Sequence, residues 1–204
     1  ARGILPPSDP LLVTPARSHA LKNADVVVVA GTPLDFRLGY GDFGDAQVIF
    51  VSDDPLASRQ AKAIRLTGDL LELVGILSTN LTKPIGTQSW KDELHARSSV
   101  IRLSNQELMR TRGDLIHPAE IYGELIPRLT QSTITIGDGG DFVSFAGKFI
   151  EPERPGRWLD PGPFGALGTA MGYTLAAGKA FPSDPLVVLL GDGAAGFSLM
   201  DVDS

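Results

Sequence analysis

Cysteine is absent from the 204 residues. That excludes disulfides, thiolate metal sites and a cysteine nucleophile, and it suits a cytoplasmic protein. Basic residues are also in deficit: 18 Lys and Arg stand against 24 Asp and Glu, for a net charge of −6. Phosphate backbones demand basic patches, so nucleic acid is not expected as a main partner. No apolar run approaches the ~20 residues of a membrane span, so no membrane partner is expected. The opening Ala1-Arg2-Gly3-Ile4-Leu5-Pro6-Pro7 carries neither an initiator Met nor a signal-peptide pattern, and it reads like the middle of a longer chain. What is present is ordinary globular composition, 43% hydrophobic and 21% charged. Its 23 Gly and 15 Pro fall between apolar runs rather than in low-complexity tracts.

The first half alternates strand-like runs with a helical pattern. Ala24-Asp25-Val26-Val27-Val28-Val29-Ala30-Gly31 is a short β-branched run ending in Gly, as expected of a parallel strand buried on both faces. Gln47-Val48-Ile49-Phe50-Val51 is a second run, closed by Ser52-Asp53-Asp54-Pro55, and Ala63-Ile64-Arg65-Leu66 is a third. After Thr67-Gly68-Asp69 the spacing predicts a helix from Leu70 to Leu81, with Leu70, Leu71, Leu73, Val74 and Leu77 on its apolar face. Strand–helix alternation of this kind predicts a doubly wound α/β unit, incomplete as it stands. Residues 82–115 are charged and mixed (Lys83, Lys91, Asp92, Glu93, Arg97, Arg102, Arg110, Arg112) and read as an exposed connecting helix and linker.

A second unit begins at His117-Pro118-Ala119-Glu120, where Pro118 suits a first helical turn and Ile121, Leu125, Ile126 and Leu129 form a stripe. The strand Thr133–Ile136 runs into Gly137-Asp138-Gly139-Gly140-Asp141, and a helix is expected from Phe142 to Ile150. Trp158-Leu159-Asp160 reads as a short strand, and a helix of small residues is expected from about Gly165 to Ala180. Leu186-Val187-Val188-Leu189-Leu190 is the plainest strand in the chain, and it leads directly into Gly191-Asp192-Gly193.

Two Gly-Asp-Gly turns therefore fall at strand ends of one predicted domain, where open α/β sheets bind their ligands. Glycine lets the backbone approach a ligand closely, and turn amides leading into a helix attract anions. An Asp in that position repels a bare phosphate. It fits a hard divalent cation, usually Mg²⁺, bridging to phosphate oxygens. A tight turn with an Asp cap on the next helix is the other reading of the same triplet. The residues taken alone define a phosphate-binding α/β domain and no more.

These segments resemble the thiamine-diphosphate enzymes of the acetolactate synthase, 2-hydroxyacyl-CoA lyase and oxalyl-CoA decarboxylase type. The resemblance lies in Gly191-Asp192-Gly193-Ala194-Ala195-Gly196-Phe197, in Gly165-Ala166-Leu167-Gly168 placed 25 residues before Asp192 (counted from Leu167), and in Gly139-Gly140-Asp141-Phe142. It implies Asp192 as a Mg²⁺ ligand, with Gly191, Gly193 and Ala194 about the diphosphate. Gly139, Gly140, Asp141 and Phe142 would line the diphosphate and thiazolium end. Gly165, Ala166 and Leu167 would form the element under the bent cofactor, Leu167 pressing the aminopyrimidine toward the thiazolium carbon. The run from Ser18-His19-Ala20-Leu21 through Asp35-Phe36-Arg37-Leu38 resembles the family's central domain, which binds FAD in some members and ADP or CoA in others. Asp35 and Arg37 follow the strand end where such a nucleotide would lie, and they equally suit a local ion pair. No Gly-x-Gly-x-x-Gly fingerprint accompanies that strand, which argues against a nicotinamide role.

On this resemblance the chain is expected to hold the C-terminal part of a central Rossmann-like domain (1–81), a linker (82–115) and the N-terminal part of a thiamine-diphosphate-binding domain (116–204). The family's activating Glu, borne on a pyrimidine domain, and its second metal ligand, an Asn roughly one βαβ unit after Asp192, lie outside the chain. Neither Glu120 nor Glu124 is a substitute, since both sit on the helix opening the second domain. No catalytic residue is therefore assigned, and the segment alone is expected to be inactive. The family implies a homodimer or homotetramer acting on a small-molecule 2-oxo acid or acyl-CoA. Within the family, Arg157-Trp158-Leu159-Asp160-Pro161-Gly162-Pro163-Phe164-Gly165 looks more like the CoA-handling members. Acetolactate synthase type chemistry is the broad expectation, with 2-hydroxyacyl-CoA or oxalyl-CoA cleavage as its competitor. A non-catalytic nucleotide- or CoA-binding scaffold is the reading from a different class.

Overall fold

The computed structural model describes residues 2–54, 63–81 and 88–203, so Pro55 and the linker stretch 82–87, with Lys83, lie outside the described residues. The chain forms two compact units, one of Val13–Ser98 and one of Ala1–Leu12 with Ser99–Ser204.

In the first unit, three parallel strands lie in the order β1 (Val26–Ala30), β2 (Gln47–Ser52) and β3 (Ile64–Thr67). Side chains alternate across a strand, so Val27 and Val29 share one face with Val48 and Phe50 and make a buried core with Phe43. Helix α1 (Arg17–Asn23) adds Leu21 to that core. The sequence pattern gave no warning of α1, a seven-residue helix with few apolar residues, led in by a 3₁₀ turn at Thr14–Ala16. Helix α2 (Leu70–Asn80) starts where the spacing predicts, because Asp69 caps it by accepting from the Glu72 amide at 2.9 Å. His19 Nε2 lies 2.7 Å from Glu93 Oε1, and Arg97 Nε donates to the same oxygen at 3.2 Å. Those hydrogen bonds, from His19 foremost and then Arg97, hold the Glu93 carboxyl below its ordinary range. Glu93 and Arg97 belong to α3 (Gln88–Arg110), a 23-residue helix that takes up most of the stretch expected to be a connecting helix and linker.

The second unit is a parallel sheet in the order β5 (Trp158–Leu159), β4 (Ile134–Asp138) and β6 (Leu186–Leu190). Helix α4 (Pro118–Leu125) opens with a capping box: His117 Nδ1 accepts from the Ala119 amide while Glu120 accepts from the His117 amide. Two helices follow the strands, α5 (Gly140–Phe149) after β4 and α6 (Ala170–Ala180) before β6. Trp158, Val187 and Leu189 pack toward Tyr122 of α4 and Ala146 and Phe149 of α5. Ile134, Ile136, Leu159 and Val188 pack with Ala170 and Ala177 of α6. The sheet thus carries helices on both faces, as a doubly wound parallel sheet must, and every residue of its central strand β4 is buried. Arg2 ties the chain's first residues to this unit, donating to the carbonyls of Gly147 and Ile150 at the end of α5 and lying over the Trp158 ring.

Two boundaries differ from the expected ones. Helix α5 begins two residues early, at Gly140, directly after the left-handed Gly139. Helix α6 begins at Ala170 instead of about Gly165, because Gly165 and Gly168 adopt positive φ of 63° and 86°, which interrupt a right-handed helix before it can start. Among the described residues no helix is long and apolar enough to cross a membrane.

Candidate functional site

Parallel pairing of β4 with β6 sets Asp138 opposite Leu190. The turns that start at Gly139 and Gly191 therefore leave the sheet side by side, at its carboxyl end. They run close together: a Cβ on Gly191 would lie 3.9 Å from the Gly139 carbonyl oxygen. Gly139 holds φ 66° and ψ 165°, a conformation almost confined to glycine. A Cβ there would fall 2.0 Å from Leu167 Cδ2 and 3.8 Å from the Ala194 Cβ. Leu167 thus lies flat on the Gly139 backbone with Ala194 beside it. One turn further, a Cβ on Gly168 would meet the Phe197 Cβ at 2.7 Å. All three segments of the sequence resemblance meet at this one end of the sheet.

Around that contact the surface is open. Gly140, Gly165 and Gly193 have no heavy atom within 4 Å of a would-be Cβ. Asp141, Gly165, Ala166, Asp192 and Gly193 are exposed, whereas Ala194 is buried and Gly191 half-buried. Asp192 opens the short helix α7 (Asp192–Ser198). Among the described residues no group of three or more His, Cys, Asp or Glu is placed to hold a metal. What the described residues offer is Asp192, an exposed carboxylate beside the open backbone of Gly193, with Asp141 exposed beside Gly140. A lone carboxylate of this kind is a donor for a hard cation whose other ligands are phosphate oxygens or water.

Phe142 is placed from behind. The Tyr122 hydroxyl donates to the Phe142 carbonyl at 2.6 Å, and the two rings lie 5.0 Å apart. Burial pushes the Tyr122 phenol up to about 12, so it is a neutral donor at physiological pH. Tyr122→Phe removes that donor while keeping the packed ring. Denaturant unfolding should then show a loss of about 1 kcal/mol, with faster amide exchange in the first turn of α5. An unchanged midpoint would show the hydroxyl to be energetically idle.

Asp138 lies in the first Gly-Asp-Gly turn, at a strand end where the sequence places a ligand, and is not among the residues that the resemblance assigns to the cofactor. Its carboxylate is fully buried and accepts from the Gly168 amide at 3.2 Å and the Ala170 amide at 2.8 Å. Strand alternation carried the signal: Ile134, Ile136 and Asp138 share the face toward α6. The first part of the Arg157–Gly165 stretch, Arg157 to Asp160, also turns inward, while Phe164 and Gly165 are exposed. Arg157 is 8% exposed, with Nη1 2.8 Å from Asp184 Oδ2 and its guanidinium over the Phe181 ring. Asp160 accepts from Trp158 Nε1 and the Gly162 amide, both at 2.8 Å. In the other unit, Asp35 and Arg37 form the local pair, with Arg37 Nη2 2.5 Å from Asp35 Oδ2. That hydrogen bond holds the Asp35 carboxyl below its ordinary range.

Adjacent parallel strands ending in neighbouring glycine turns define the ligand-binding end of a doubly wound α/β domain. Residues 138–204 match the family "Thiamine pyrophosphate enzyme, C-terminal TPP binding domain", and the chain belongs to the thiamine pyrophosphate enzymes. Similarity to named proteins runs along its whole length. It is 41% identical over 211 residues to the acetolactate synthase large subunit IlvG of Mycobacterium tuberculosis, and equally to a probable acetolactate synthase of Mycobacterium bovis. It is 32% identical over 219 residues to the human 2-hydroxyacyl-CoA lyase 2. The chain spans 38% of the length of the mycobacterial relatives and 34% of the human one.

Proposed function

We propose that the full-length protein binds thiamine diphosphate and Mg²⁺ and makes or breaks a carbon–carbon bond beside a carbonyl, in the manner of an acetolactate synthase acting on 2-oxo acids. The observation that carries this is the meeting of Gly139, Leu167 and Ala194 at the strand ends, beside the exposed Asp192. A diphosphate needs backbone amides it can approach and a cation it can share. Gly140 and Gly193 leave that approach clear, and Asp192 supplies an anionic oxygen for the cation. Leu167, 43% exposed, presents an apolar surface to whatever lies above Gly139. The cofactor contributes an electron sink for a carbanion next to a carbonyl. This chain's residues contribute the anchoring: Gly139, Gly140, Asp141 and Phe142 on one side, Gly165, Ala166 and Leu167 beneath, and Gly191, Gly193 and Ala194 with Asp192 on the other. A cytoplasmic homodimer or homotetramer belongs to the same reading, as does FAD, ADP or CoA beyond the carboxyl ends of β1 and β2.

A second substrate reading, cleavage of 2-hydroxyacyl-CoA, is favoured by the likeness to the human 2-hydroxyacyl-CoA lyase 2 across this entire chain. One product assay on the full-length protein separates the readings. Acetolactate formed from pyruvate is the expected result. Formyl-CoA and an aldehyde from a 2-hydroxyacyl-CoA would move the assignment to the lyase. Neither product from a protein that binds the cofactor would leave oxalyl-CoA decarboxylation, tested by carbon dioxide release from oxalyl-CoA, and, failing that, the non-catalytic scaffold.

A further inference from the structure

Asp138 carries a carboxylate into a site with no exposure to water. Burying such a group is costly unless its oxygens are satisfied, and here each oxygen takes one backbone amide at the start of α6. The positive end of that eleven-residue helix favours the charge further. The two amides are not equivalent in consequence. Ala170 is the first residue of α6, whereas Gly168 belongs to the preceding turn and directly follows Leu167.

Two neighbouring residues of one segment thus grip two neighbouring residues of another. Asp138 holds Gly168 through a hydrogen bond, and Gly139 receives Leu167 by close contact. The hydrogen bond fixes the turn, and the turn sets where Leu167 lies on Gly139. Without the carboxylate, Gly168 keeps its packing on Phe197 but loses its polar tether to the strand end.

We propose that Asp138 is a positioning residue for the cofactor site, acting through Gly168 to hold Leu167 against Gly139. The proposal rests on the thiamine diphosphate reading above and adds to it a residue that touches no ligand.

The test uses the full-length protein, with calorimetric titration of thiamine diphosphate in the presence of Mg²⁺. Asp138→Asn keeps the shape but turns one acceptor into a donor facing an N–H group, so one of the two bonds is lost. Amide exchange at Gly168 and Ala170 should accelerate, and affinity should fall about tenfold. Leu167→Ala should weaken affinity by a similar factor. The double variant should then be no worse than about tenfold, against the roughly hundredfold expected of independent sites. Ile134→Val, a core change at the far end of the same strand, lowers stability and should leave affinity unchanged. Affinity unaltered by Asp138→Asn, or full additivity with Leu167→Ala, overturns the proposal while leaving the cofactor reading intact. A wild-type protein that does not bind thiamine diphosphate overturns both. Should Asp138→Asn not fold, the wild type decides. Cofactor binding should slow exchange at Gly168 and Ala170, since coupling is reciprocal, and unchanged exchange would refute it.

Discussion

Asp192→Ala in the full-length protein is expected to weaken Mg²⁺-dependent binding of thiamine diphosphate at least about a hundredfold, the equivalent of roughly 2.7 kcal/mol. A hard divalent cation seeks anionic oxygen, and Asp192 is the exposed carboxylate at the carboxyl end of β6. Without it the cation shares the site with neutral donors and the diphosphate alone. The fold should hardly register the change. Asp192 is exposed at the first turn of α7, where losing a favourable charge costs about 0.3–1 kcal/mol. The contrast between the two magnitudes is the diagnostic. A variant that melts like the wild type but fails to bind would support the metal role. Asp192→Asn, which keeps an oxygen but not the charge, should fall between. Calorimetry showing the same affinity in the variant as in the wild type would remove Asp192 from the metal site, and with it the main support for Mg²⁺ on this strand.

The frame that positions Asp192 could be read from the residues because its signals are local. Val26–Ala30 and Leu186–Leu190 are short apolar runs that read as strands, and glycine follows both. Burial on both faces does not hold for the first, whose Val26 and Val28 are exposed while Val27 and Val29 face the core. Asp69 and Pro118 announced their helices by chemistry confined to one turn. Contacts between distant segments were not legible in this way. Nothing in Gly165-Ala166-Leu167-Gly168 says that Leu167 covers Gly139, or that Gly168 is tethered to a carboxylate thirty positions earlier. Arg157 is a further case: in a loop of prolines and glycines its guanidinium is buried, with Nη1 beside Asp184 Oδ2 and the group over the Phe181 ring, a packing that the residues alone do not announce. Tyr122 is a milder case: the helical stripe marked α4 as amphipathic, but only the packed structure shows its hydroxyl reaching Phe142.

Gly139→Ala should disable the site even where the protein folds, and two separable penalties explain why. The first is the backbone. At φ 66° and ψ 165° an L-residue sits in a region open essentially only to glycine, at a cost of about 1–3 kcal/mol. The second is the 2.0 Å overlap of the new methyl with Leu167 Cδ2. That overlap involves the tip of a side chain already 43% exposed, so Leu167 can swing outward at little cost in stability. Strain therefore dominates the loss of stability, whereas the displaced Leu167 dominates the loss of binding. Adding Leu167→Ala relieves the overlap but not the strain. The double variant should recover little stability over Gly139→Ala, and its affinity for thiamine diphosphate should match that of Leu167→Ala alone. Unfolding midpoints and calorimetric affinities measured on the same four proteins test both halves. Full recovery of stability in the double variant would show that the overlap, not the backbone, is what requires glycine. Wild-type affinity in Gly139→Ala would show that the seat of Leu167 on this turn has no part in binding.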